Sequence, residues 1–173
     1  EYCVKLWFFA SQAVKLKTDY KVLCEKNTYA NIKNEPVGIV ALIIPWNYPM
    51  VVTSERLPFI LAAGNSIIIK PSEYASQSII FLLKIINETR LPVGTINLVT
   101  GSRKVGQKLV ENDHVNMVSF TGSTKVGKEI MTICAKSIKR VSLELGGKNS
   151  IIVLKDANIE KAVQATIDGF TSN

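Results

Sequence analysis

The sequence predicts an α/β fold: a doubly wound parallel sheet, with a helix and hairpin ahead of it and the start of a second domain behind. Three observations carry that expectation. Residues 37–44 form one continuous apolar run closed by Pro45, as a strand buried on both faces requires. From Val37 onward, short β-branched runs alternate with segments of helical period, the pattern of parallel strands joined by crossover helices. Two strand ends, far apart in sequence, carry polar chemistry: Pro45-Trp46-Asn47-Tyr48-Pro49 and Leu143-Glu144-Leu145-Gly146-Gly147-Lys148. Carboxyl ends of strands are where open α/β sheets hold their sites.

Taken in order, apolar residues recur at helical spacing over 2–17, which predicts the first helix. Residues 22–24 and 29–32 read as a polar-tipped hairpin around 25–28. Strands are predicted at 37–44, 66–70, 95–100, 115–120 and 140–144, with helices at about 51–63, 75–89, 104–111 and 125–136 between them. Within 75–89, Ile79, Ile80, Leu82, Leu83 and Ile86 make one apolar stripe, and Leu91-Pro92-Val93-Gly94 ends the element. A sixth apolar run at 150–154 begins a new element, followed by a helix at 156–168 with no partner in this chain.

At 173 residues the chain suits one well-buried domain plus pieces of another. An apolar share of 47% with 20% charged residues argues against disorder. No apolar window approaches the length of a membrane span, so no membrane partner is expected. The chain opens on Glu1 without a signal peptide, and it reads as a piece of a longer protein. Cys3, Cys24 and Cys134 have no metal-ligand spacing, so no metal is expected and a reducing compartment is favoured. That compartment is the cytoplasm, or the mitochondrion if a transit segment once preceded Glu1. Asn87-Glu88-Thr89 matches a glycosylation triplet that carries no weight without a secretory signal. The net charge of +7 is dispersed and not striped with aromatics, which argues against a nucleic-acid partner.

No strand–helix junction holds G-x-G-x-x-G. Two looser junctions remain, one around Gly101 and one at Phe120-Thr121-Gly122-Ser123-Thr124. In the second, Ser123 or Thr124 can cap a helix whose free N–H groups suit a phosphate, or simply start a helix. Gly122 to Lys128 imitates an NTPase phosphate loop, but Glu129 stands where magnesium needs Ser or Thr. Glu73, in Lys70-Pro71-Ser72-Glu73, can accept hydrogen bonds from both hydroxyls of an adenosine ribose, or serve only as a first-turn carboxylate. Cys134 shares an apolar face with Val126, Ile130 and Ile133 and reads as core, while His114 reads as a loop residue.

Four of these motifs occur in the order and spacing of the aldehyde dehydrogenase superfamily, which the whole chain resembles: Pro45–Pro49, Lys70–Glu73, Phe120–Thr124 and Leu143–Lys148. The resemblance implies a variant Rossmann sheet, NAD as cofactor with NADP tolerated, and oxidation of a small-molecule aldehyde to an acid through a cysteine thiohemiacetal and thioester. It implies that Asn47 stabilises the oxyanion and that Glu144, its pKa raised by burial, activates water. It assigns cofactor contacts to Ile44, Trp46, Lys70, Ser72, Glu73, Gly101, Phe120, Gly122, Ser123, Val126, Leu145 and Gly146. It divides the chain into an N-terminal helix with an oligomerisation hairpin at 1–36, a dinucleotide-binding domain at 37–145, and the start of a catalytic domain at 146–173. The full-length protein is then expected to be a dimer or tetramer. Residues 70–76 and 141–148 are somewhat like the betaine-aldehyde branch. The family's nucleophile lies in a G-Q-x-C segment that these residues do not contain, so the chain is expected to be inactive alone. A non-catalytic dinucleotide-binding relative is the alternative, and a phosphate-loop nucleotide binder the more distant one.

Overall fold

The computed structural model describes residues 1–16, 19–147 and 150–171. Lys17, at the end expected for the first helix, Lys148, in the carboxylate motif, and Ser172 and Asn173, at the end of the chain, lie outside the described residues. The elements follow in the order α1 (Tyr2–Ala13), β1 (Tyr20–Glu25), β2 (Thr28–Ile32), β3 (Ile39–Ile43), α2 (Pro49–Ala62), β4 (Ser66–Lys70), α3 (Gln77–Asn87), β5 (Ile96–Leu98), α4 (Arg103–Glu111), β6 (Met117–Gly122), α5 (Thr124–Ala135), β7 (Arg140–Leu145) and α6 (Ile159–Thr171). Strands β1 and β2 pair as an antiparallel hairpin, and the other five form one parallel sheet in the order β5-β4-β3-β6-β7. This is the predicted doubly wound sheet.

The strand alternation assigns each apolar residue to a face. Leu42 and Ile44 point with Ile67 and Ile69 into a core closed by Leu57 of α2 and by Ile79, Leu83 and Ile86 of α3. Ala41 and Ile43 point the other way with Val118 and Phe120, against Val110 of α4 and Ile130 and Cys134 of α5. A strand buried on both faces must be apolar throughout, which is why β3 shows no alternation in sequence. Helix α1 packs on α2, where Trp7 Nε1 donates to Ser54 Oγ at 3.3 Å.

Entry to the central strand is built around two asparagines. Asn65, which is buried, accepts hydrogen bonds from Val37 and Gly38 through Oδ1 at 2.8 and 3.1 Å and donates to the Ile60 carbonyl at 3.1 Å. Asn116 Oδ1 accepts from Ile39 N–H at 2.8 Å. Gly38 sits between them at φ +113°, a backbone conformation that side-chain-bearing residues rarely adopt.

Three expectations are corrected. The run at 150–154 forms no strand: it pairs with no strand among the described residues, and its Ile151, Ile152, Val153 and Leu154 are exposed. The predicted strand at 95–100 contracts to Ile96–Leu98, because an edge strand with one neighbour keeps only the residues that pair with β4. The helix expected at 156–168 begins later, at Ile159, and none of its residues is buried.

Candidate active site

At the carboxyl edge of the sheet the register lines up Lys70, Ile43, Phe120 and Leu143 across four neighbouring strands. The chain winds from β3 outward through β4 to β5, then returns to lay β6 on the other side of β3. Crossover helices therefore leave β3 and β6 on opposite faces, and a crevice opens where they part. A cleft of about 670 Å³ lies there, running between α4 and α5.

Its walls follow from local sequence. Val110, Val126, Ile130 and Ile133 form an apolar side, with Gly106 of α4 facing the strand ends. Gly106 leaves space for the Lys70 stem: a Cβ there would stand 3.4 Å from Lys70 Cδ and 3.6 Å from Cε. The amine of Lys70, only 5% exposed as a residue, donates to the Pro71 carbonyl at 3.0 Å and lies 3.9 Å from Glu73. Burial lowers its pKa below the usual lysine value, and the nearby Glu73 carboxylate opposes that shift. At the opposite strand end, Ser123 caps α5 by accepting from Val126 N–H at 3.4 Å, and Thr124 Oγ1 donates to the Gly146 carbonyl at 3.2 Å. The first turn of α5 thus presents free N–H groups beside the cleft.

Of the residues singled out in the sequence, Ile44, Trp46, Lys70, Ser72, Glu73, Phe120, Gly122, Ser123 and Val126 line this cleft. Gly101, Leu145 and Gly146 stand outside its lining. Leu145 instead packs on Gly127, where a Cβ would come within 2.5 Å of it. Asn47 is exposed in the loop leading into α2 and is also outside the lining. Glu144 is one strand over from β6, in register with Thr121, so the Asn47 loop and Glu144 belong to the same edge of the sheet.

The expected burial of Glu144 is corrected. Its side chain is 63% exposed at the end of β7, an edge strand of the sheet, and it pairs with Arg56 of α2 at 3.0 Å. The contributors missed in sequence include Arg103 and Gln107 on α4, Gly106 between them, and Glu129 on α5. Arg103 and Glu129 form an ion pair between the two helices. Only the helical spacing of Arg103, Gly106 and Gln107 signals a shared face, and nothing in sequence says what that face looks onto.

The cysteines stand apart from the cleft lining. Cys134 is 1% exposed within the core, and burial pushes its thiol pKa up against the opposing charge of Lys139. In the folded chain, Cys24 is exposed and Cys3 half-buried. Iodoacetamide at neutral pH is therefore expected to label Cys24 first and to leave Cys134 unmodified until denaturant is added. Peptide mapping checks this, and early labelling of Cys134 would contradict its placement. His114 is exposed in the turn before β6. Among the described residues, no group of His, Cys, Asp and Glu could hold a metal ion, and no helix is long and apolar enough to cross a membrane.

Known proteins share this architecture. Aminoaldehyde dehydrogenase 2 of Zea mays is 45% identical over 150 residues, covering 86% of this chain and 30% of its own length. An NAD-dependent aldehyde dehydrogenase from Sinorhizobium meliloti superposes with a TM-score of 0.92 at 37% identity, over 97% of this chain and 34% of that one. Betaine aldehyde dehydrogenase from Staphylococcus aureus, solved in complex with NAD+, does so at 0.93 and 34% identity, again over 97% and 34%. The chain thus spans about a third of the length of the proteins it matches. The sequence pattern of the aldehyde dehydrogenase family matches residues 1–173, and with these likenesses it establishes that the chain belongs to that family.

Proposed function

We propose that these residues are the dinucleotide-binding part of an NAD-dependent aldehyde dehydrogenase that converts an aldehyde to a carboxylic acid. The observation that carries this reading is the cleft between α4 and α5, which gathers a ribose-type pair, an apolar slot and a helix N-terminus at one sheet edge. The fit to a dinucleotide follows from the chemistry of each part. The Lys70 amine and Glu73 carboxylate offer a donor and an acceptor to ribose hydroxyls. Val126, Ile130 and Ile133 offer a planar base a dry surface. The capped start of α5 and the Trp46 indole N–H offer donors to pyrophosphate oxygens. When bound, NAD supplies the hydride acceptor.

The chain's own residues then take these roles. Asn47, on the proline-bounded loop after β3, donates its amide to the oxygen that gains negative charge when a thiolate attacks the aldehyde. Glu144, held toward α2 by Arg56, takes a proton from the water that hydrolyses the thioester. None of the three cysteines meets the cleft, so this reading assigns the nucleophile to none of them. The division at 36 and 145 belongs to the same proposal, as does a homo-oligomer formed through the hairpin, whose residues are exposed on both faces. The betaine-type aldehydes acted on by relatives are the substrate class we favour.

Calorimetric titration of the 173-residue chain tests the reading. NAD is expected to bind, and no aldehyde is expected to be turned over. Binding of magnesium-ATP with none of NAD would overturn the cofactor, and robust turnover would overturn the assignment of the nucleophile.

A further inference from the structure

Four charged side chains line the cleft among the described residues, and they form two neutral pairs. Lys70 faces Glu73, and Arg103 faces Glu129. Arg103 and Gly106 lie three positions apart on α4, so they share one helical face. Gly106 is the point where the Lys70 stem passes beneath that helix. Arg103 therefore starts about one helical turn from the point where the Lys70 stem passes, and its side chain lines the same cleft as Lys70 and Glu73. It is nevertheless directed across the cleft to α5, where Glu129 occupies it.

Resting on the reading of Lys70 and Glu73 as the ribose site, we infer that the Arg103–Glu129 ion pair is a determinant of cofactor choice. By engaging the guanidinium, Glu129 withholds it from a phosphate on the adenosine 2′-oxygen, and the cleft selects NAD over NADP. The charge count supports this. A 2′-phosphate adds about two negative charges, and it would enter beside Glu73 with both lining cations already neutralised. A ribose that keeps its hydroxyl needs only the donor and acceptor that Lys70 and Glu73 provide. Arginine is also the side chain best shaped to grip a phosphate once released, since its planar fork donates two parallel hydrogen bonds. The pair joins the two helices that bound the apolar slot, so a change there acts at the adenosine end and not at the reacting carbonyl.

The test compares NAD and NADP affinities by calorimetry on the whole chain and on three variants. Glu129→Gln is expected to shift the NAD-to-NADP affinity ratio about tenfold toward NADP, the scale of one charge-assisted contact at a partly solvated site. Arg103→Gln, which frees the Glu129 carboxylate, is expected to move the ratio toward NAD. The double variant Arg103→Gln with Glu129→Gln is expected to lose the gain of the first. NAD binding by each variant reports that its cleft is folded. A ratio unmoved by Glu129→Gln overturns the inference. So does a gain that survives in the double variant, since simple repulsion by the carboxylate would then explain it. A shift toward NADP in Arg103→Gln also counts against it. Failure of the unsubstituted chain to bind either dinucleotide overturns the cofactor reading itself, and this inference with it.

Discussion

Substituting Gly38 by alanine is expected to lower the unfolding free energy by about 3 kcal/mol, from a strained backbone and a lost hydrogen bond. Gly38 holds φ +113°, outside the range open to alanine at low energy. A Cβ at this position would also lie far inside contact distance of Asn116 Oδ1. That oxygen is not free to withdraw, because it accepts the hydrogen bond from Ile39 N–H that starts β3. On its other side, the Gly38 N–H is held by Asn65 and its carbonyl by Ser66 N–H. Chemical denaturation followed by circular dichroism measures the effect. A loss below about 1 kcal/mol would mean that the entry to β3 is softer than these contacts require.

Gly122→Ala is expected to act on the cleft. Its added methyl would stand 2.5 Å from Phe120 Cζ and 3.1 Å from both Cε atoms. The core packed behind Phe120, including Ile43 and Ile130, leaves the ring little room to retreat. Relief therefore lies toward the open side, where Phe120 already forms part of the cleft wall. Overpacking of this kind costs about 1–3 kcal/mol, so NAD affinity should fall about tenfold if the displaced ring enters the ligand's space. Titration calorimetry reads the affinity and thermal unfolding reads the stability. Unchanged affinity with lowered stability would show that the ring moves into the core instead.

Much of the fold was legible because its signals are local. Strand β4 appears residue for residue where an apolar run is bounded by Asn65 and Pro71. Helix α3 shows its stripe of Ile79, Leu83 and Ile86, all of which are buried. Helix α2 starts two residues earlier than its apolar period suggests, because Pro49 takes the first helical position, where its missing N–H costs nothing. The run at 150–154 has the composition of a strand, yet composition cannot provide the neighbouring edge on which a strand depends.

The site divides along the same line. Ser123 as a cap and the clustering of polar residues after β3, β4 and β6 follow from the order of residues along the chain, since caps and strand ends are governed by near neighbours. The exposure of Glu144, its pairing with Arg56 and the bridge from Arg103 to Glu129 do not follow from that order. Each joins groups that only the winding of the sheet brings together. Local chemistry thus set the parallel sheet and its site-bearing rim, while packing of α4 beside α5 shaped the cleft and settled which charges meet across it. The physical reason is range: periodicity and capping act within a few residues, whereas burial and ion pairing depend on distances in space.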